Sequence, residues 1–263
     1  MNIDIENIAD RIIHARDTCT PLERLVEANE APTIHEAMLI QHEIVRRRVF
    51  AGDKVVGFKL GNIAKAMQNK FGVGQPDFGP LLHSYFKPEN LPLYADQFIQ
   101  PYAELEAAFV LKKDLGGKYV SVADVISATD YVLPAIEIID SRIKDWKIDI
   151  FETLADGGSV GAIILSAQPR TLNELNLADT KGEIYFDDDL VEQGNTAAVY
   201  GNPVAAIMWL CHRVAEYGIT FKKGDVILPG SCLAAVALEP NKKITGRFSG
   251  WGEISFRYEP ARK

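Results

Sequence analysis

Two glutamates one residue apart, Glu104 and Glu106, lie within an apolar run over residues 101–111. The run lacks glycine and internal proline and ends at a polar turn, which is typical of a β-strand. Because successive side chains of a strand point to opposite faces, the two carboxylates project from the same face. Like charges this close repel each other unless a proton or a cation lies between them. A metal ion bound by both side chains is the simplest explanation.

A third carboxylate, Glu137, lies in a second apolar run over residues 133–139. Both faces of this run are apolar, which is typical of a strand buried on both sides. An unpaired carboxylate in such a strand would destabilise the fold or stay protonated. Carboxylates with no neighbouring histidine or cysteine suit a hard cation such as Mg²⁺ or Mn²⁺ and do not suit Zn²⁺. The sequence therefore predicts a metal site formed by Glu104, Glu106 and Glu137.

Two simpler interpretations stay open at this point. A Glu-x-Glu pair on a strand is often a solvated face, and Glu137 could instead pair with a buried cation such as Arg142. The presence of both features in one stretch of the chain weakens these interpretations without removing them.

Lys59 lies between Gly57 and Gly61 in a predicted strand, so a ligand or another backbone can approach it closely. A lysine in such a position can bind an anion or transfer protons, and an exposed strand lysine is the alternative. Asp77 belongs to a loop rich in glycine and proline over residues 72–80. There it is expected first to form a turn and only second to act as a catalytic acid or base.

Two further loops, residues 155–159 and 229–232, are either plain turns or loops whose amides hold a carboxylate. The sequence contains no Gly-x-Ser-x-Gly nucleophile motif, and Cys211 lies within a predicted helix. These features argue against covalent catalysis.

The composition excludes several classes of protein. The chain has 263 residues and a formal net charge of −8, which argues against a surface for nucleic acid or anionic membranes. No stretch approaches the roughly 20 apolar residues that a membrane span needs, and the first residues lack the order of a signal peptide. Three widely separated cysteines indicate reduced thiols, so we expect a cytoplasmic protein.

Hydrophobic periodicity and capping signals predict an α+β fold with a mostly antiparallel core, because the strands do not alternate regularly with helices. The predicted helices cover residues 5–16, 33–50, 64–71, 122–131 and 203–217. The predicted strands cover residues 55–60, 104–111, 133–139, 161–165, 182–186, 226–228, 234–238, 243–248 and 253–258. We expect a helical N-terminal region over residues 1–50 and a catalytic β-domain over residues 51–263.

Six segments together resemble a known family. They are residues 57–61, 75–79, 104–111, 137–147, 201–210 and 224–231. On these segments the chain resembles the 2-hydroxypenta-2,4-dienoate (2-keto-4-pentenoate) hydratases, in the hydratase/decarboxylase branch of the fumarylacetoacetate hydrolase superfamily. The resemblance implies a β-roll core, a homo-oligomer, and a Mg²⁺ or Mn²⁺ ion at the three glutamates. It also implies a role in bacterial meta-cleavage catabolism of aromatic compounds, with association to a decarboxylase or aldolase of the same pathway.

The resemblance also suggests roles for the remaining candidates. The expected reaction is metal-assisted hydration of a 2-hydroxy-2,4-dienoate to a 4-hydroxy-2-oxo acid. Lys59 is the candidate for proton transfer and charge stabilisation, and Asp77 is the candidate base. The candidates for substrate binding are Gly61, Asp156 and Ser159.

Other reactions remain open. A 4-oxalocrotonate-type decarboxylase or an acylpyruvate hydrolase would use the same metal site, and the chain could also be a non-catalytic partner subunit. The intact Pro-Asp-Phe-Gly segment at residues 76–79 favours the hydratase. Two segments depart from the family pattern: residues 62–64 lack the usual hydrophobic residue and threonine, and Gly157 replaces the usual asparagine.

Overall fold

The computed structural model describes residues 3–27, 31–64, 74–89 and 91–262. Its helices are α1 (Ile5–Thr18), α2 (Ile34–Phe50), α3 (Val122–Ala128), α4 (Ile150–Ala155) and α5 (Pro203–Val214). Its strands are β1 (Val55–Gly61), β2 (Asp77–Leu82), β3 (Phe86–Lys87), β4 (Leu93–Tyr94), β5 (Tyr102–Leu111), β6 (Thr129–Ile139), β7 (Val160–Leu165), β8 (Lys181–Phe186), β9 (Asp189–Asn195), β10 (Val226–Leu228), β11 (Val236–Ala237), β12 (Lys242–Phe248) and β13 (Gly252–Glu259). The helix predicted over residues 64–71 lies, apart from Ala64, outside the described residues.

The strands form two sheets. The larger one has the order β2-β1-β10-β5-β6-β7-β3, with β11 also paired to β5, and the smaller one has the order β4-β13-β12-β8-β9. Within the described chain the pairs β1–β10, β3–β7 and β4–β13 are parallel, and the other pairs are antiparallel. The predicted α+β fold with a mostly antiparallel core is confirmed.

The smaller sheet covers one face of β5 and β6. Leu105 and Ile136 on that face contact strands β8 and β12 at two glycines, Gly182 and Gly246. A Cβ atom on Gly246 would lie 2.7 Å from Leu105 Cδ1, so the close approach of the sheets requires glycine there. Because side chains alternate along β5 and β6, the three glutamates project from the opposite face.

The N-terminal helices pack into the same core as the sheets and help to position the site. The predicted capping box of α2 is present, with Thr33 and Glu36 each hydrogen-bonded to the backbone of the other. The buried amide of Gln41 on α2 donates to the carbonyl oxygens of Phe78, at 3.0 Å, and Leu154, at 2.7 Å. This side chain therefore fixes β2 and α4 relative to each other, and both elements carry residues of the site described below.

Helix α5 begins as the sequence predicts. Asn202 caps its first turn by accepting a hydrogen bond from the Val204 amide, Pro203 is its first residue, and Gly218 adopts a left-handed φ of 70° after the last turn. The α-helical part ends at Val214 and a short 3₁₀ turn completes it. Among the helices that the structure describes, none has both the length and the apolar character that are needed to cross a membrane.

Some predicted elements differ from the observed ones. The helix predicted over residues 122–131 ends at Ala128, and β6 begins at Thr129 because β-branched and aromatic residues from this point favour the strand. The loop predicted over residues 72–80 is wrong from Asp77 onward, where β2 pairs with β1. The predicted strand over residues 234–238 is reduced to β11, and α4 and β9 had no counterpart among the predictions.

Candidate active site

The three glutamates converge on one point of the larger sheet. The β5–β6 register places Glu104 directly opposite Glu137 and Glu106 opposite Ala135, one step along the strands. One carboxylate oxygen from each glutamate lies within 4.8 Å of the others. Glu104 is 3% exposed, and Glu106 and Glu137 are 0% exposed, so the solvated-face interpretation is wrong. We call these three residues the glutamate triad.

The surroundings neutralise the triad only in part. Burial, followed by the neighbouring carboxylate of Glu137, raises the pKa of Glu104 to about 8. Burial also raises the pKa values of Glu106 and Glu137 above their ordinary range. Within the described chain, Glu106 Oε1 and both carboxylate oxygens of Glu137 have no hydrogen-bond partner. Buried oxygens that lack donors fit a hard divalent cation, which supplies the missing positive charge.

Lys59, on β1, is the cation that faces the triad. Its Nζ lies 3.3 Å from Glu137 Oε1 and 3.7 Å from Asp77 Oδ1, and it donates to the carbonyl oxygen of Gly158 at 2.9 Å. Burial alone would lower the pKa of Lys59, but the carboxylates of Glu137 and Asp77 raise it overall. Glu137 thus pairs with a buried cation, as the alternative interpretation allowed, but this cation is Lys59, whereas Arg142 pairs with Asp156. Four carboxylates and one ammonium group leave the site with a net negative charge, which a divalent cation would offset.

Glycines at two positions let Lys59 reach this location. A Cβ atom on Gly61 would lie 2.7 Å from Lys59 Nζ and 2.5 Å from Asp77 Oδ1. A Cβ atom on Gly158, which has a left-handed φ of 73°, would lie 2.7 Å from Lys59 Cδ. The bare backbone at both positions therefore leaves space for the lysine and the aspartate.

Asp77 lies at the start of β2, paired with Gly61. Its Oδ2 accepts a hydrogen bond from Thr153 Oγ1 at 3.1 Å, and Thr153 Oγ1 lies 3.4 Å from Ser159 Oγ. Asp77 Oδ1 has no hydrogen-bond partner among the described residues. Thr153 therefore orients Asp77 through Oδ2, and Ser159 contacts Thr153 in turn. The second oxygen of Asp77, Oδ1, is left for a ligand.

Thr153 was not identified from the sequence. It lies on α4, a helix too short for hydrophobic periodicity to detect. The available signal was the spacing of Asp149 and Glu152, which form a capping box at the start of α4. Recognising that box would have placed the following threonine in the first turns of a buried helix.

Several of these residues line one cleft, and Glu104 is the member of the triad among them. The polar side chains of the lining are Lys59, Asn62, Asp77, Glu104, Thr153 and Ser159, and Gly158 adds backbone. Its apolar side chains are Ile139, Trp146 and Ile148. The lining thus combines charged groups with apolar surface suited to a hydrocarbon chain.

Asp156 lies elsewhere. Its carboxylate is buried and bound by Arg142, with Arg142 Nε 2.7 Å from Oδ1 and the Arg142 amide 3.1 Å from Oδ2. Asp156 is not among the residues that line the cleft. The structure therefore does not place this candidate for substrate binding beside the triad. The Arg142–Asp156 ion pair instead holds the chain just before Gly158 and Ser159, which do line the cleft.

Comparison with known proteins identifies close relatives. No family model matches the sequence. The chain is 34% identical to a 2-keto-4-pentenoate hydratase from Paraburkholderia phymatum, with 95% of each chain covered. It is 36% identical to a 2-hydroxyhexa-2,4-dienoate hydratase from Comamonas testosteroni, with 97% of each covered.

A solved structure of a relative has the same fold. The 4-oxalocrotonate decarboxylase from Pseudomonas putida G7, complexed with magnesium and adipate, superimposes with a TM-score of 0.91. It is 31% identical to this chain, and the comparison covers 97% of both. Identity above 30% over nearly the whole length shows common ancestry and a shared fold. By these relationships the chain is a member of the family that includes the 2-keto-4-pentenoate hydratases and 4-oxalocrotonate decarboxylase.

Proposed function

We propose that this chain is a hydro-lyase that adds water to a 2-hydroxy-2,4-dienoate, through the 2-oxo-3-enoate, to give a 4-hydroxy-2-oxo acid. The observation that carries the proposal is the buried glutamate triad beside Lys59, with Glu104, Lys59 and Asp77 lining one cleft. The hydratase names of relatives at 34% and 36% identity support the same reaction. Their names also support a role in meta-cleavage degradation of aromatic compounds.

We propose that Glu104, Glu106 and Glu137 hold Mg²⁺ or Mn²⁺. Three carboxylates without nitrogen or sulfur donors favour these hard ions, and the related decarboxylase contains magnesium. When bound, the ion supplies positive charge and Lewis-acid polarisation for the carboxylate and the 2-oxo oxygen of a substrate. The amide of Gly230 donates to Glu106 Oε2 at 2.8 Å and so fixes the orientation of this ligand.

We propose that Asp77 transfers the protons and that Lys59 stabilises the negative charge of the reacting substrate. In the first step, Asp77 Oδ1 accepts the proton of the 2-hydroxyl group and delivers a proton to C5, which yields the 2-oxo-3-enoate and leaves Asp77 ionised. In the second step, Asp77 accepts a proton from a water molecule while the oxygen of that water bonds to C4, and Asp77 then delivers the proton to C3. The ammonium group of Lys59 stabilises the negative charge that develops on the C2 oxygen in both steps.

The remaining cleft residues are proposed to orient the reactants. The hydroxyl groups of Thr153 and Ser159 hold the attacking water, and the Gly61 backbone contacts the substrate. The apolar side chains of Ile139 and Trp146 face the hydrocarbon end of the dienoate. Asp156 acts indirectly, because its ion pair with Arg142 positions the chain before Ser159.

A decarboxylase is the second candidate, because the solved relative with a TM-score of 0.91 is a decarboxylase. The same cation and lysine would stabilise the enolate that forms when carbon dioxide leaves a 2-oxo-3-enedioate. The two reactions differ in their products, so one experiment separates them.

The test supplies 2-hydroxypenta-2,4-dienoate and 2-oxo-3-hexenedioate in parallel, with Mg²⁺, with Mn²⁺ and with a chelator. We expect loss of the dienol absorbance and formation of 4-hydroxy-2-oxopentanoate only when a divalent ion is present. Release of carbon dioxide from the diacid without turnover of the dienol would assign the decarboxylase instead. Metal binding with no turnover of either compound would indicate a non-catalytic partner subunit.

We further propose that the chain forms a homo-oligomer and associates with a decarboxylase or aldolase of the same pathway. The exposed apolar side chains of α2 support self-association: Phe50 is 91% exposed and Leu39 is 43% exposed. Light scattering coupled to size-exclusion chromatography tests the first part, and a monomer at micromolar concentration would contradict it. Co-elution with such an enzyme tests the second part, and separate elution would contradict it.

A further inference from the structure

A second cavity, of about 270 Å³, shares no lining residue with the cleft that Lys59 and Glu104 line. Its wall is formed by side chains from α1, α2, β3 and the segments around β7. This volume is large enough for a small organic or inorganic ion and too small for a macromolecular segment.

The wall of this cavity has an excess of positive charge. Four cationic side chains and two carboxylates line it. The cations are Arg16, Arg48, Lys87 and Arg142, and the carboxylates are Asp17 and Asp140. Asp17 is ion-paired with Arg48, and the Asp140 carboxylate accepts hydrogen bonds from backbone amides. The local carboxylates are therefore already engaged.

Two of the cations have no carboxylate partner among the described residues. The ammonium group of Lys87 donates to the carbonyl oxygen of Ser84 at 2.8 Å. The guanidinium group of Arg16 donates to the carbonyl oxygens of Val160, at 2.6 Å, and Gly161, at 2.8 Å. Burial, followed by the charge of Arg16, lowers the pKa of Lys87 below its ordinary value. The Arg16 guanidinium carbon also lies 3.9 Å from the centre of the Tyr85 ring, so in the part of the chain that the structure describes neutral groups and not carboxylates contact both cations.

Arg142 supplies an independent observation. It is 1% exposed, its Nε binds Asp156 and its Nη1 donates to the Val160 carbonyl at 3.1 Å. Its Nη2 has no hydrogen-bond partner within the described chain. A buried guanidinium nitrogen without an acceptor is costly, and an oxygen of a bound anion would satisfy it.

We propose that this cavity is a binding site for a small anion that carries a carboxylate or phosphate group, held by Lys87, Arg16 and Arg142. Guanidinium and ammonium groups together provide several charge-assisted donors for such oxygens. The site also has a connection to the active site. Arg142 binds Asp156, and the chain that follows provides Gly158 and Ser159 to the catalytic cleft.

The test measures thermal unfolding of the magnesium-loaded protein against inorganic phosphate and, separately, succinate. Sodium chloride keeps the ionic strength constant, because non-specific charge screening also changes stability. We expect a saturable rise in Tm with at least one of the two anions. The Lys87→Gln variant should bind that anion about tenfold more weakly, since it loses a charge-assisted hydrogen bond.

Lys112→Gln is the matched control, because this exposed lysine lies outside the cavity. It removes the same charge and should leave the affinity of the anion unchanged. Lack of a saturable effect with either anion would overturn the proposal. The same affinity in the Lys87 and Lys112 variants would also overturn it. None of these readouts depends on turnover, so they do not depend on the proposed hydratase activity.

Discussion

Two groups of buried charges contact the segment of residues 156–159, one through Asp156 and the other through the Gly158 carbonyl, and they differ in the balance of positive and negative charge. In the Arg142–Asp156 pair, one guanidinium group faces one carboxylate and binds both of its oxygens. In the glutamate triad, the single ammonium group of Lys59 faces several carboxylates, and buried oxygens remain without donors. Both groups are almost completely buried, so burial alone does not distinguish them.

The difference separates a structural role from a functional one. A balanced buried pair stabilises the local fold as long as both partners are present. An unbalanced group destabilises the metal-free protein and therefore indicates a site that is completed by a ligand. On this basis we assign the bond between Arg142 and Asp156 to positioning and the triad to cation binding. Arg142 Nη2 takes no part in that bond and is the group proposed to bind an anion. The following predictions test that division.

The largest effect is expected for Glu106→Gln, which removes one negative charge from the triad. Charge stabilisation by the cation is worth several kcal/mol, so hydration should slow by about a thousandfold or more. Initial rates with the dienol and calorimetric titration with Mg²⁺ measure the two losses. Glu192→Gln, on β9, is the control and should retain both activity and metal affinity. Near-normal turnover and metal affinity in Glu106→Gln would refute the assignment.

The next effect concerns stability and should have opposite signs in the two groups. Asp156→Asn leaves the buried charge of Arg142 without its partner and should lower the free energy of unfolding by about 3–5 kcal/mol. Glu106→Gln should raise the stability of the metal-free protein, because it removes a repelling carboxylate. Urea unfolding of both variants without metal measures this. If both variants change stability in the same direction, the proposed division fails.

The same contrast explains what the sequence can predict. The triad could be predicted because two conditions are local: strand alternation puts Glu104 and Glu106 on one face, and the apolar run around Glu137 indicates burial. The role of Asp156 could not be predicted in this way. Its partner Arg142 precedes it by fourteen residues and comes close only because α4 reverses the chain between them.

Parts of the fold were harder to predict. Glycine and proline around Asp77 indicate a loop, but pairing with β1 makes residues 77–82 a strand. Strand β9 lies at the exposed edge of the smaller sheet, so most of its residues are polar. Its sequence therefore lacks the apolar pattern by which a strand is predicted. The pairing of β2 with β1 is distant in sequence, so a local pattern does not contain it, whereas β9 pairs with the neighbouring β8 and was missed only because most of its residues are polar.

A smaller effect is expected for Asp77→Asn, which tests how far the unbalanced group extends. Asp77 contacts Lys59 but does not belong to the triad. The variant should slow hydration by about a hundredfold, as is typical for loss of a general base, and should bind Mg²⁺ normally. Steady-state kinetics and metal titration separate the two quantities, with Asp189→Asn as the control. A parallel loss of metal affinity would show that Asp77 helps to hold the ion.

The smallest effect is a pH dependence of stability that arises from the triad and that Mg²⁺ should change. The pKa of Glu104 is raised from 4.5 to about 8, so the folded metal-free protein binds a proton that the unfolded chain releases. The corresponding stability is therefore present below pH 4.5 and is lost as the pH rises through about 8. Glu104→Gln cannot titrate, so its stability advantage over the wild type should grow over that range.

Mg²⁺ should reverse this trend, because it binds the ionised carboxylates and displaces their protons. The rise in Tm that saturating Mg²⁺ produces should therefore be larger at pH 8 than at pH 6 in the wild type. Thermal unfolding at a series of pH values, with and without Mg²⁺, measures both curves. The Asp156→Asn variant retains the triad and should show the same dependence on pH as the wild type. A metal effect that is independent of pH would mean that the triad is already ionised before the cation binds.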